Sequence, residues 1–170
     1  MKNFSAFKFR NFVVIAIFLS ISAGMFAQTD FSGTWAVNQS KSKFGDAGGG
    51  PGGPMGGATL VVAQDAKILT VTQTMQGPDG EMKILSKYNL DGTSSTNPFI
   101  MDMSRKSTLK WSADKKSLTI VSIMDFNGNE MKETETWSLS PDGLTLFIES
   151  TRPAGPDGGE MKMTLAYDKK

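Results

Sequence analysis

Apolar and polar residues alternate along most of the chain after residue 28, and this alternation predicts β-strands. The segment 81–90 shows the pattern clearly. Its mostly apolar face is formed by Met82, Ile84, Ser86, Tyr88 and Leu90, with charged and polar residues between them. Because successive side chains of a strand point to opposite faces, such a segment has one face for a core and one for water.

Nine segments fit this description, and residues typical of turns separate them. The predicted strands are 31–38, 58–65, 67–76, 81–90, 104–112, 117–125, 130–139, 144–151 and 160–168. Pro-Asp-Gly and Asn-Gly sequences between strands favour tight turns. Short strands at close spacing predict an all-β, antiparallel up-and-down meander. Eight or nine such strands bury their apolar face by closing into a barrel or folding into a sandwich, and we expect the barrel.

An internal repeat with an offset of 49 residues supports this architecture. Leu69-Thr70-Val71 matches Leu118-Thr119-Ile120, and Glu81-Met82-Lys83 matches Glu130-Met131-Lys132. A third, partial copy includes Glu160-Met161-Lys162. Each full copy holds three predicted strands, so an unbroken meander predicts that successive copies point in opposite directions along the barrel.

The first 27 residues predict export. Lys2, Lys8 and Arg10 precede an apolar run over 12–23, and Ala27 ends a short segment before Gln28. This order is typical of a cleavable signal peptide. The alternative is a membrane anchor, but the run is shorter than the ~20 residues that a spanning helix needs. We therefore expect a secreted or periplasmic protein, with residues 28–170 as one domain and no cysteine for lipid attachment.

Composition excludes several kinds of chemistry. The chain has no His and no Cys, which rules out His-based triads, thiol nucleophiles, zinc sites and iron–sulfur sites. Its formal net charge is +1 and no basic patch stands out, so nucleic acid is not an expected partner. We expect no cofactor, no metal site of these kinds and a monomer.

The first strand carries a resemblance. Its sequence Phe31-Ser32-Gly33-Thr34-Trp35 resembles the Gly-x-Trp start of the calycins, the superfamily of lipocalins and fatty-acid-binding proteins. The resemblance implies a barrel that holds a small apolar ligand, with Gly33 and Trp35 at one closed end. The later strands look like those of a fatty-acid-binding protein in order and spacing. The stretch 31–45 is also similar to uncharacterised secreted bacterial lipocalin-like proteins.

Two departures from the fatty-acid-binding proteins change what the resemblance implies. A Gly/Pro-rich loop over 45–57 stands where those proteins have a helical lid. Their inward anchor arginines correspond to Leu165 and Trp137, which leaves only Tyr167 of the anchor set. We therefore do not expect a fatty acid to be held through a buried arginine.

Glu133 and Glu135 are the most informative candidate site residues. They fall on the face of Trp137, and the repeat has Ile84 and Ser86 in their places. Carboxylates on an inward face are costly unless water, a cation or a polar ligand meets them, so the pair predicts a polar point inside a cavity. The alternative is a shift of register that turns both towards solvent.

The full set of predicted cavity-lining residues combines this pair with apolar positions on the same faces. It consists of Leu69, Val71, Met82, Ile84, Met124, Glu133, Glu135, Trp137, Met163, Leu165 and Tyr167. Most methionines flank predicted hairpin turns, where they line an adaptable cavity or fill the core near a barrel end.

These features lead to three functional hypotheses. The first is a non-enzymatic carrier or sensor of a small hydrophobic or amphipathic molecule. The second is an interaction protein of the cell envelope whose barrel is packed solid. The third is a carboxylate-dependent hydrolase, which is disfavoured because two neighbours on one strand rarely flank a substrate from opposite sides. Cavity volume separates the first two.

Overall fold

The structure is a computed structural model, and it describes residues 27–44, 58–77, 80–99, 103–126, 128–153 and 159–170. The predicted signal peptide, apart from Ala27, and the Gly/Pro-rich loop 45–57 lie outside these ranges. Within them, no helix is long and apolar enough to cross a membrane.

Ten antiparallel strands form one sheet that curls into a nearly closed barrel. The strands are β1 Gly33–Val37, β2 Thr59–Gln64, β3 Ile68–Gly77, β4 Gly80–Asn89, β5 Ser95–Pro98, β6 Ser104–Trp111, β7 Ser117–Phe126, β8 Asn129–Leu139, β9 Thr145–Pro153 and β10 Glu160–Lys169. Their order in the sheet is β4-β3-β2-β1-β10-β9-β8-β7-β6-β5, so β1 pairs with β10 and every other pairing joins neighbours in sequence. The predicted all-β meander is confirmed.

All nine predicted strands are present, and one further strand, β5, was missed. Its sequence Ser-Thr-Asn-Pro does not alternate between apolar and polar residues, and only Asn97 is buried. The prediction relied on apolar alternation, which this strand lacks. Its place in the barrel depends instead on pairing with β6, where Asn97 lies opposite Arg105.

The extra strand overturns the predicted orientation of the repeat. β6 is the fourth strand after β2 and not the third, because β5 has no counterpart in the repeat. In an antiparallel meander, strands four apart run in the same direction. The two copies therefore point the same way along the barrel, and equivalent hairpins lie at the same end.

Side-chain contacts rather than a backbone ladder close the barrel between β4 and β5. Among the described residues, β4 pairs only with β3 and β5 pairs only with β6. The backbone N–H of Lys87 donates to the side-chain oxygen of the buried Asn97 at 2.7 Å. This bond joins the two edge strands where the sheet meets itself.

One end of the barrel is filled by large aromatic side chains, which we call the aromatic plug: Phe31, Trp35, Trp111 and Trp137. Phe31 and Trp35 are fully buried, and the indole N–H of Trp35 donates to the Phe31 carbonyl at 3.0 Å. The Phe31 ring stacks on Trp111 with centroids 5.9 Å apart and meets Trp137 edge-on at 6.1 Å. The structure thus places Trp35 fully buried within the core cluster at this end.

Gly33 permits the approach of the last strand to this plug. Its φ of 151° is one that L-residues rarely adopt, and a Cβ there would lie 3.1 Å from Cε of Lys169. The same lysine places its ammonium 5.3 Å from the centre of the Trp35 ring. A side chain at residue 33 would compete with this cation–π contact.

Candidate ligand site inside the barrel

A small cavity of about 40 Å³ lies inside the barrel, and Trp137 of the plug forms part of its wall. Polar residues make up half of its wall: Gln73, Ser86, Tyr88, Arg105, Glu133, Glu135 and Ser150. The other half is formed by Leu60, Val71, Trp137, Ile148, Met163, Leu165 and Tyr167. At ~10–15 Å³ for each water, the space holds about three water molecules.

Arg105 is the central cation of this cavity. Strand β6 alternates so that Arg105, Ser107 and Leu109 are buried while the residues between them are exposed. One terminal NH2 of the guanidinium donates to the Tyr88 hydroxyl at 3.0 Å, and the other lies 3.7 Å from Oε2 of Glu133. Its Nε is buried and has no hydrogen-bond partner among the described residues. This N–H is therefore a buried donor that the described residues leave unsatisfied.

Glu133 and Glu135 both project into the barrel from β8. The register places Glu133 opposite the buried Ser122 of β7 and Glu135 opposite Ser150 of β9. Only 5% of Glu133 is exposed. Glu135 is less buried, and its Oε2 accepts a hydrogen bond of 3.2 Å from the indole N–H of Trp137. The predicted inward orientation of the pair is what the structure shows.

Burial changes the ionisation of Glu133. Loss of solvation, followed by repulsion from Glu135, raises the pKa of Glu133 from its ordinary value of 4.5 to about 7, although Arg105 and Arg152 oppose the shift. Near neutral pH this carboxyl group exchanges between a charged acceptor and a neutral donor. The cavity can therefore offer either kind of hydrogen bond at this position.

Two tyrosines also line the cavity, Tyr88 in the polar half of the wall and Tyr167 in the other half. Burial raises the pKa of Tyr88, with Arg105 opposing that shift, and burial followed by the charge of Glu135 raises the pKa of Tyr167. Both phenols thus remain protonated at neutral pH. Together with the carboxylates and the guanidinium, they can hold a polar group through several hydrogen bonds.

Seven of the eleven predicted lining residues belong to the cavity wall: Val71, Glu133, Glu135, Trp137, Met163, Leu165 and Tyr167. The structure places the other four elsewhere. Leu69, Ile84 and Met124 are buried in the barrel but outside this wall, and Met82 is 38% exposed at the mouth.

The sequence interpretation missed the buried cation. It considered only the positions of the family anchors, which hold Leu165 and Trp137. Arg105 instead supplies the charge from β6, and Tyr88 of β4 holds it. The alternating positions Arg105, Ser107 and Leu109 indicated that all three side chains point inward. An arginine next to Lys106, however, is more typical of a strand segment that faces solvent.

The two carboxylates of the cavity are two positions apart on one strand and so share one side of it, whereas glycoside hydrolases place their pair on either side of the scissile bond. No group of three or more His, Cys, Asp or Glu residues suited to a metal ion occurs in the described ranges.

Comparisons of this chain with protein-family models, with curated proteins and with solved structures give no match.

Proposed function

We propose that this chain is an exported, calycin-type binding protein that holds a small amphipathic molecule, with the polar group of that molecule in the interior cavity. The observation that carries the proposal is the cluster of Arg105, Glu133 and Glu135 on the wall of one interior cavity, with the Nε–H of Arg105 left without a partner among the described residues. The first-strand motif and the predicted signal peptide support the calycin assignment and export.

The cost of the cluster argues for a role beyond stability. Removing charged groups from water costs several kcal/mol each, and apolar residues of similar volume are often as good or better for folding. The aromatic plug shows that this barrel can be filled with apolar side chains at its other end. Retaining two carboxylates and a guanidinium inside is expected where a polar ligand group meets them.

Cavity size limits the ligand. Pockets for drug-sized molecules measure ~300–1,000 Å³, so the 40 Å³ here accommodates a head group and not a whole lipid. The remaining, apolar part of the ligand would extend along Met163 towards the end of the barrel opposite the plug. Met75, Met82 and Met124 lie on inward faces near that end, and flexible methionine side chains can repack around a guest.

The small cavity also favours a second candidate function. A barrel whose interior is nearly filled by its own side chains fits an envelope interaction protein that binds partners through its loops. In that case the charged cluster would be satisfied by a few buried waters and would bind no organic molecule.

A titration with three eight-carbon probes separates these functions. Octanoate, octanol and octylamine share one chain and differ in the polar group, and calorimetry with the mature protein measures each affinity. We expect at least one probe to bind, and the one that binds best identifies the class of polar group. Absence of binding by all three supports the solid barrel.

Two neighbouring substitutions on β6 locate the binding site. Arg105→Met removes the buried cation, and Lys106→Met changes the next, exposed residue as a matched control. For octanoate or octanol, we expect the first to weaken binding at least tenfold and the second to leave it unchanged; for octylamine, Glu135→Gln takes the place of Arg105→Met. Equal binding by both variants contradicts a site at the cluster, and Glu135→Gln repeats the test if Arg105→Met folds poorly.

A further inference from the structure

All seven methionines of the described residues lie near one end of the barrel, opposite the aromatic plug. They are Met75, Met82, Met103, Met124, Met131, Met161 and Met163. Strands β3 and β7 finish at this end, and β4, β6, β8 and β10 begin there. The connections at the plug end contain no methionine in the described ranges.

The internal repeat explains much of this arrangement. Met75 and Met82 of the β3–β4 hairpin correspond to Met124 and Met131 of the β7–β8 hairpin at the 49-residue offset. Because β5 makes the two copies point the same way, both hairpins reach the same end of the barrel. With opposite copies, the two methionine pairs would lie at opposite ends.

Within each hairpin the two methionines lie directly across the ladder. Met75 is the register partner of Met82, and Met124 is the partner of Met131. Directly opposed residues have Cβ atoms ~4.5–5.5 Å apart, and each thioether has three rotatable bonds to reach a shared point. Both sulfurs of a pair can therefore contact one ion.

Each pair also spans the boundary between core and solvent. Met75 and Met124 are 7% and 6% exposed, whereas Met82 is 38% exposed and Met131 is partly exposed. An ion could approach from solvent through the outer methionine and be shielded by the inner one. Water then competes less well with the sulfur ligands for the ion, because one side of the site is shielded from solvent.

We propose that the pairs Met75–Met82 and Met124–Met131 are binding sites for Cu(I). Thioether sulfur is a soft ligand that selects Cu(I) over oxygen-seeking cations. The chain contains no Cys and no His, so methionine is its soft donor. The ion binds and leaves as Cu(I), with no electron transfer.

Local charges distinguish these pairs from the third methionine hairpin. Met161 accepts hydrogen bonds from Nε and a terminal nitrogen of Arg152 at 3.3 and 3.1 Å, so its sulfur faces a cation and is already engaged. Beside the Met124–Met131 pair, Arg105 of β6 is the register partner of Met124, but its terminal nitrogens are directed to the Tyr88 hydroxyl and to Glu133, the next inward residue of β8. Met161 is therefore not one of the proposed ligands, although its Glu-Met-Lys context is the same.

Transfer of Cu(I) from a chromophoric chelator tests the proposal. The full mature chain is titrated without oxygen against the Cu(I) complex of bicinchoninate, and native mass spectrometry counts bound ions. We expect up to two ions for each chain, no uptake of Zn(II), and the same stoichiometry with Ag(I), which needs no reductant. Failure to take Cu(I) from the chelator overturns the proposal.

Matched methionine substitutions locate the ions. Met82→Leu/Met131→Leu removes one sulfur from each pair at nearly constant volume, and Met161→Leu/Met163→Leu removes the same number elsewhere at that end. We expect at least a tenfold loss of Cu(I) affinity in the first and no change in the second, with equal Trp fluorescence showing that both fold. Equal Cu(I) affinity in the two variants overturns the assignment.

Discussion

The two ends of the barrel are built on the same ten strands and differ in what points inward. At one end, the Phe31 ring stacks on Trp111 and meets Trp137 edge-on, and Phe31 and Trp35 are fully buried. Towards the other end, Arg105 and Glu133 face a cavity, with methionines beyond them. The comparison teaches that the alternation of apolar and polar residues is enough to form the barrel. The identity of the inward residues then decides which end stabilises the fold and which end is available for a ligand.

The largest expected difference between the ends is in stability. Trp35→Ala should lower the free energy of unfolding by about 3–5 kcal/mol, because it removes a fully buried ring and leaves a cavity. Met82→Ala should cost less than about 1 kcal/mol, because that side chain is 38% exposed. Urea denaturation of both variants measures the difference, and similar losses would contradict the division of roles.

A second prediction concerns the contribution of the buried charges of Arg105 and Glu133 to the stability of the barrel. Arg105→Met alone should cost about 3 kcal/mol at pH 8, because it leaves Glu133 buried without its cation. Arg105→Met/Glu133→Leu should recover most of this loss, because apolar pairs often replace buried ion pairs at little cost. Urea denaturation of the two variants at pH 8 measures their free energies of unfolding. A double variant no more stable than the single one would show that the charged cluster stabilises the fold.

The ionisation of Glu133 gives a third prediction. Because its pKa is raised from 4.5 to about 7 on folding, the folded state retains a proton that the unfolded state has lost in this window. The contribution of Glu133 to stability is thus complete below pH 4.5 and declines by up to about 3 kcal/mol as pH rises through 7. Unfolding free energies from pH 4 to 8 should show this decline relative to Glu133→Gln. Parallel pH profiles of the two proteins would contradict the raised pKa.

The smallest effect concerns the junction that joins β4 to β5. Asn97→Ala removes the acceptor for the Lys87 N–H and should cost about 1–2 kcal/mol. Its exposed neighbour provides the control, Thr96→Ala, which should change stability by less than about 0.5 kcal/mol. Thermal unfolding compares them, and amide exchange at Lys87 shows whether the junction opens. Unchanged exchange in Asn97→Ala would mean that other contacts close the barrel.

Most of the fold could be predicted because nine strands carry their own signal. In β6, for example, buried Ser107 and Leu109 alternate with exposed charged and polar residues. Strand β5 could not be found this way. Its Ser-Thr-Asn-Pro segment forms a strand because it pairs with β6, and it has no apolar face of its own. One missed strand was enough to reverse the predicted direction of the repeat.

The candidate site was predictable in part for a similar reason. Glu133 and Glu135 stood out because the repeat has apolar or small residues in their places. Arg105 did not, because its partners Tyr88 and Glu133 come from strands distant in sequence. Cavity volume depends on how side chains from many strands pack together, and no pattern within one strand contains that information.

The central claim is that the charged cavity holds the polar group of a small amphipathic molecule. Native mass spectrometry of the mature protein, recovered from the compartment of the cells that make it, tests this most directly. The account predicts a discrete adduct on the unaltered protein that is retained in Lys106→Met and lost in Arg105→Met. A bare protein mass in all three preparations would contradict it.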